Sequence, residues 1–277
     1  MSRETSPPPT SPTQAAHQFL AFAGSVDFGK TAKDYARHRA GFPAELFDRL
    51  DRFGVGRPGQ RVLDLGTGTG TVARGLALRG CAVTAIDPSA AMLEQAAPLD
   101  QEAGVRIDYR VGKAEETGLP AESFDVVTAG QCWHWFDAPR AAAEVRRLLV
   151  PGGTAVICNF DWIPLPGNVV DLSEKLIEKH NPAWRMGGFH GIHAQNIKPL
   201  AIAGFTAIET FSFDLAVPYT HEAWRGRIRA SAGVSATLSP EAVAAFDAEH
   251  GAALAARFPA DPFAVPHRCF AIVAHAP

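Results

Sequence analysis

The stretch Val62-Leu63-Asp64-Leu65-Gly66-Thr67-Gly68-Thr69-Gly70 constrains this chain more than any other. A short β-type run ends in three alternate glycines, and Thr71 to Arg79 then carries a helical pattern. Without side chains, the turn lets a ligand come very close to the backbone and to the amides that open the helix. Nucleotide-binding folds share this pattern generally.

The segments that follow keep the same grammar. Ala82 to Ile86 reads as a strand, Ala90 to Ala97 as a helix, Val105 to Arg110 and Asp125 to Ala129 as strands, Pro139 to Leu149 as a helix and Thr154 to Phe160 as a strand. Such alternation implies right-handed crossovers and a parallel sheet. Before it, Phe42 to Phe53 has helical spacing that stops at Gly54 and Gly56, and Gln18 to Ala23 and Ala32 to Arg39 can begin local helix. After Asp161 the rhythm breaks. A helix over Val169 to Lys179 leads into an irregular stretch, Asn181 to His193, of the kind that forms lids. A strand at Thr206 to Phe213, helices at Glu222 to Ala230 and Pro240 to Ala256, and a strand at Cys269 to Ala274 complete the chain.

These segments predict a doubly wound, Rossmann-like α/β fold with a seven-stranded, mostly parallel sheet. The expected divisions are a disordered lead over 1–25, an N-terminal helical lid over 26–60, a core over 61–160, a cap insertion between strands 5 and 6 over 161–205, and C-terminal strands and helices over 206–277.

Composition removes other classes. With 26 basic against 29 acidic residues there is no global basic field to hold nucleic acid or an anionic membrane. No apolar run approaches the roughly 18 to 20 residues of a membrane span, and the N-terminus lacks a secretory pattern, so a cytoplasmic location is expected. Cys81, Cys132, Cys158 and Cys269 are far apart, each in or beside an apolar run, which predicts buried reduced thiols and no metal site. Nothing specifies an oligomeric state.

The third glycine separates two cofactor classes. A dinucleotide fingerprint places Gly or Ala where Thr71 stands, whereas this chain has Gly70. Asp87 ends the second strand twenty-one residues after Gly66, placed for a ribose diol, and that spacing suits NAD and S-adenosylmethionine equally.

Four segments carry a resemblance to class I S-adenosylmethionine-dependent methyltransferases: VLDLGTGTG (62–70), AIDPS (85–89), GKAEETGLPAESFDVV (112–127) and LLVPGG (148–153). It extends over Phe28 to Phe160. The resemblance implies that Asp64, Gly66, Thr67 and Gly68 bracket the methionine end of the cofactor and that Asp87 holds both ribose hydroxyls. Pro88 and Met92 would pack on the adenine, with Ala114 and Glu115 near its amino group; Lys113 stands where many relatives carry Asp. Phe28, Ala32, Tyr35, Arg39, Phe42 and Pro43 further resemble the subset related to trans-aconitate methyltransferases, in which the Tyr closes over the cofactor and the Arg meets its carboxylate. Gly41 replaces a frequent proline there.

The resemblance also implies that the acceptor meets the sulfonium beyond the fourth strand, at Gln131-Cys132-Trp133-His134-Trp135-Phe136-Asp137. Methyl transfer needs an unprotonated nucleophile held near the methyl carbon, with water excluded. The N/D-P-P-Y/F sequence of amine and nucleobase enzymes is absent. His134 is the general-base candidate. The competing reading is a histidine that fixes the aromatic cluster, because a carboxylic acid acceptor is already ionised and needs no base. Gln131 then lies beside the cofactor and Trp133 forms the floor.

The loop bearing His180, Trp184, Arg185, Met186, Phe189, His190 and His193 is expected to set substrate identity. Trp184 and Trp224 are expected to line the acceptor site, and Arg225 and Arg229, one helical turn apart, to clamp a carboxylate, with a solvated cationic face as the other reading. The predicted activity is methyl transfer from S-adenosylmethionine to a small molecule, most readily at oxygen, giving S-adenosylhomocysteine and using no metal. Transfer to nitrogen, sulfur or carbon, a non-catalytic S-adenosylmethionine binder and a nicotinamide oxidoreductase remain the alternatives.

Overall fold

The computed structural model describes Asp27, Asp34, Arg37, His38 and residues 40–277. The expected lead over 1–25 lies outside the described residues, as do Phe28, Ala32, Tyr35 and Arg39. Asp34, Arg37 and His38 are helical, within the run expected to be so.

Seven strands form one sheet: β1 (Arg61–Leu65), β2 (Ala82–Asp87), β3 (Asp108–Val111), β4 (Phe124–Gly130), β5 (Leu149–Trp162), β6 (Thr206–Tyr219) and β7 (Phe263–His275). Their order is β3-β2-β1-β4-β5-β7-β6, parallel from β3 to β5, with β7 antiparallel to both β5 and β6. Eight α-helices are described: α1 (Ala44–Asp51), α2 (Thr71–Ala77), α3 (Ala90–Ala103), α4 (Ala138–Leu148), α5 (Val169–His180), α6 (Ile197–Ile202), α7 (His221–Arg229) and α8 (Pro240–Arg257). None is long and apolar enough to cross a membrane.

Both faces of the central strands are covered, which explains why β1, β4 and β5 read as nearly continuous apolar runs. Leu63, Leu65, Val127 and Ile157 point into one core, closed by Leu148 of α4 and Leu200 of α6. Val62, Val126, Val156 and Cys158 point into the other, closed by Leu46 of α1 and Leu76 of α2. Gly75 is needed for this closure, because a Cβ there meets the Phe47 ring at 2.1 Å. A third core joins α5, α7 and α8 around Trp184, Trp224, Ile228 and Phe246. The helices beside the sheet thus come from both sides of β6, beyond the 161–205 stretch.

The last three strands are longer than the sequence reading has them, and two boundaries between β2 and β3 shift for a local reason. The helix expected to stop at Ala97 runs through Pro98 to Ala103. Arg74 holds that last part in place, donating from Nε to buried Asp100 at 2.8 Å and from a terminal nitrogen to the Ala96 carbonyl at 3.3 Å. The next strand begins at Asp108 and not at Val105, because left-handed Gly104 caps α3 and the Val105 amide donates back to Asp100 O.

Strand β5 outlasts its neighbour. Its last partner in β4 pairs Cys158 with Gly130, and Asn159 to Trp162 continue against β7 alone. A ledge therefore rises beyond the carboxyl ends of β1 and β4, the end at which open α/β sheets bind ligands.

Candidate functional site

The glycine turn lies between β1 and α2, with Gly66, Gly68 and Gly70 at φ of 59°, 57° and 78°. These left-handed values suit glycine and strain other residues. Close approach adds a second requirement: a Cβ on Gly66 meets Cys132 Cβ at 2.8 Å, and one on Gly70 meets the Tyr109 hydroxyl at 2.3 Å. The turn is joined to β2, since Gly68 N donates to Asp87 Oδ2 and Ser89 N to Asp87 Oδ1, both at 2.8 Å, and Thr67 N donates to Ile86 O at 3.0 Å. Burial pushes the Asp87 carboxyl above its ordinary value against those two amides. Met92 packs under the turn, its methyl 3.3 Å from the Cβ position of Gly68. Pro88 is exposed beside Asp87, while Ala114 is buried. Half-buried Glu115 accepts from the Asp137 amide at 2.9 Å.

Asp64 sits beneath this turn, 1% exposed, accepting from the Thr128 hydroxyl at 2.6 Å. Burial raises its carboxyl to about 6, opposed chiefly by the Thr128 hydrogen bond. These groups form a shallow cradle of backbone amides and two carboxylates. The amides of the turn and the Asp87 carboxylate beside it suit the polar groups of S-adenosylmethionine, while buried Asp64 braces the turn from below.

Beyond β4 the chain turns sharply at Gln131, whose φ of 60° is unusual for a residue with a side chain. That turn brings the amide group back to β5: Phe160 N donates to Gln131 Oε1 at 2.6 Å, and Gln131 Nε2 donates to Asp161 Oδ1 in a short contact. The other Asp161 oxygen accepts from His193 Nε2 at 2.6 Å. Burial pushes the Asp161 carboxyl up, but His193, Gln131 and the nearby His134 outweigh it and hold the group below the usual carboxylate range. His134 lies in a short 3₁₀ turn, Trp133 to Trp135, its ring 4.8 Å from that of Trp135. The sequence reading had placed Gln131 and His134 here. It had missed Asp161, which only the overhang of β5 brings to them.

Several expected acceptor residues are otherwise engaged. Trp133 is 2% exposed and belongs to the core against α4 and α6. Trp184 and Trp224 lie in the α5-α7-α8 core, where Trp224 is fully buried and donates from Nε1 to Ser173 Oγ at 2.9 Å. Arg225 and Arg229 do converge on a carboxylate, but it is Asp247 of α8, which Arg229 holds at 2.8 Å while also donating to Asp34 at 3.1 Å. Their expected clamp closes on the protein itself. Arg227 on the same helix faces the other way, 4.6 Å from the Trp162 ring. All four cysteines are buried and outside any disulfide, and no group of three metal-ligating side chains occurs among the described residues.

Comparison with known proteins agrees with this geometry. Residues 63–157 match the profile of a methyltransferase domain family. An uncharacterized methyltransferase of Mycobacterium tuberculosis is 41% identical over 130 residues, 47% of this chain, and the chain spans half the length of that relative. The ubiquinone biosynthesis O-methyltransferase of Xanthomonas campestris is 31% identical over 181 residues, 64% of this chain and 73% of that enzyme. Among solved structures, a type II methyltransferase candidate from Anaeromyxobacter dehalogenans is similar with a TM-score of 0.58 and 25% identity, over 86% of this chain and 97% of that one. The chain belongs to the class I S-adenosylmethionine-dependent methyltransferase family.

Proposed function

We propose that this protein transfers a methyl group from S-adenosylmethionine to a small-molecule acceptor at an oxygen atom. The observation that carries the cofactor reading is the junction of Asp87 with Gly68 at the carboxyl ends of β2 and β1. Both Asp87 oxygens already accept backbone amides on one side, and their remaining lone pairs suit a ribose diol. Asp64, Gly66, Thr67 and Gly68 would receive the methionine end. Pro88, Met92, Ala114 and Glu115 would surround the adenine, and Gln131 would border the sulfur side. When bound, S-adenosylmethionine supplies an electrophilic methyl group and leaves as S-adenosylhomocysteine.

Oxygen is favoured because the ledge beyond β4 carries a histidine-carboxylate pair, whose chemistry suits a hydroxyl that must lose a proton. The similarity to the ubiquinone biosynthesis O-methyltransferase supports the same reading. Calorimetric titration with S-adenosylhomocysteine, beside NAD⁺ and NADH, tests the cofactor. Micromolar binding of the first alone is expected; binding of NAD(H) instead would replace this reading with hydride transfer.

A further inference from the structure

Asp161 and His193 come from segments thirty-two residues apart and meet on the face of the ledge that continues from Ile157 and Asn159 of β5. Their side chains are 16% and 7% exposed. Because the ionised carboxylate only accepts, His193 carries its proton on Nε2, which leaves Nδ1 as the basic nitrogen. Nδ1 has no hydrogen-bond partner among the described residues, yet it is not a sealed atom. His250 shows the contrast: its Nε2 contacts Ser173, its Nδ1 is enclosed without a partner, and the residue is wholly buried. Phe189 and Phe270 flank the His193 ring at 4.6 and 6.0 Å, and Phe189 is 41% exposed at the rim.

We infer that His193, oriented by Asp161, is the proton acceptor of the acceptor site, and that the acceptor is a hydroxyl compound. This deepens the methyl-transfer reading above and rests on it. As the acceptor oxygen bonds to the methyl carbon, the carbon-sulfur bond breaks and sulfur keeps its electron pair. The hydroxyl proton passes to His193 Nδ1, and Asp161 stabilises the imidazolium across Nε2. Asp161 is a positioning residue in this scheme, and Gln131 holds its other oxygen.

The charged and titratable groups around the pair are few. His134 faces Asp161 from the turn after β4. From β7, Cys269 is neutral, its thiol pushed up to about 12 by burial and by Asp161, and Arg268 is paired with Asp214 at 2.7 Å. His190 belongs to the same loop, its carbonyl accepting from Arg268 at 3.1 Å.

The test uses methyl-labelled S-adenosylmethionine with phenol, catechol and benzoate as acceptor probes, from pH 5 to 9, on wild type, His193→Gln, Asp161→Asn and Asp161→Glu. Labelling of a phenol is expected, with kcat rising through one ionisation. His193→Gln should lose about 100-fold or more in kcat, and with it that ionisation. Asp161→Asn should move the ionisation to lower pH, because the imidazolium loses its anionic partner, and Asp161→Glu should restore part of the rate. S-adenosylhomocysteine affinity within about threefold of wild type shows that each variant is folded. A residue that merely braced the loop would lower thermal stability and leave the pH profile in place, which overturns the inference. So does His193→Gln within threefold of wild-type kcat, or labelling of benzoate alone or of no probe. Failure of the wild type to bind S-adenosylhomocysteine sinks the cofactor reading instead.

Discussion

The amide of Gly68 donates to Asp87 Oδ2 over 2.8 Å, tying the turn after β1 to the end of β2. With the Ser89 amide on the other oxygen, this contact leaves one lone pair on each Asp87 oxygen unused by the backbone, and those are the two proposed to meet the ribose diol. Asp87→Ala should weaken S-adenosylhomocysteine binding by about 1.5 to 3 kcal/mol, the scale of hydrogen bonds to a charged group. Calorimetry reads this directly, and an unchanged Kd would mean that the ribose is held elsewhere.

Asp64 makes the cradle pH-dependent. Its folded carboxyl titrates at about 6, above the ordinary 3.8, so the folded state binds the proton more tightly than the unfolded one. Stability from this group is present at low pH and lost as pH rises between those values. Asp64→Asn removes the buried charge while its amide oxygen still accepts from Thr128. The variant should gain on the order of 1 to 3 kcal/mol at pH 7.5, with the gain shrinking toward pH 4. Denaturant melts at the two pH values test this; a gain that is equal at both would rule out ionisation as the cause.

Gly70 is confined twice, by its φ of 78° and by the Tyr109 hydroxyl 2.3 Å from its Cβ position. Gly70→Ala should therefore destabilise by about 1 to 3 kcal/mol. Combining it with Tyr109→Phe removes the atom in the way and should recover the steric part, leaving the backbone strain. Additive losses in the double-mutant cycle would contradict this account.

Asp247 receives Arg225 and Arg229 at once, so Asp247→Asn should cost about 2 kcal/mol at neutral pH. Burial raises the Asp247 carboxyl, but the two guanidiniums more than offset it and hold it below the ordinary range. Its contribution is accordingly present above that range and disappears as pH falls through the lowered value. The difference in urea midpoint between variant and wild type should close in acid; a constant difference would assign the loss to packing.

Much of this architecture is written locally. The β1 run, the alternate glycines and Asp87 follow one another within a short span, and each obeys a local rule: buried parallel strands are apolar, left-handed turns take glycine, and a carboxylate at a strand end meets the next turn. For the same reason the Arg225 and Arg229 pairing was visible as an i, i+4 spacing, whereas its partner was not. Asp247 sits on another helix, and nothing in the spacing of α7 distinguishes a waiting ligand clamp from one already filled. Trp224 misled similarly, because an aromatic residue on an amphipathic helix reads the same whether it faces a pocket or the α5-α7-α8 core.

The sequence by itself determined the α/β alternation, the seven strands and the glycine turn that meets Asp87, since these depend on residues close together in the chain. Tertiary structure decided the acceptor side. Asp161 reaches Gln131 and His193 only because β5 outruns β4 and the loop before α6 folds over its end. That arrangement depends on strand register and long-range packing, in which each side chain's partner is set by the sheet and not by its neighbours in sequence.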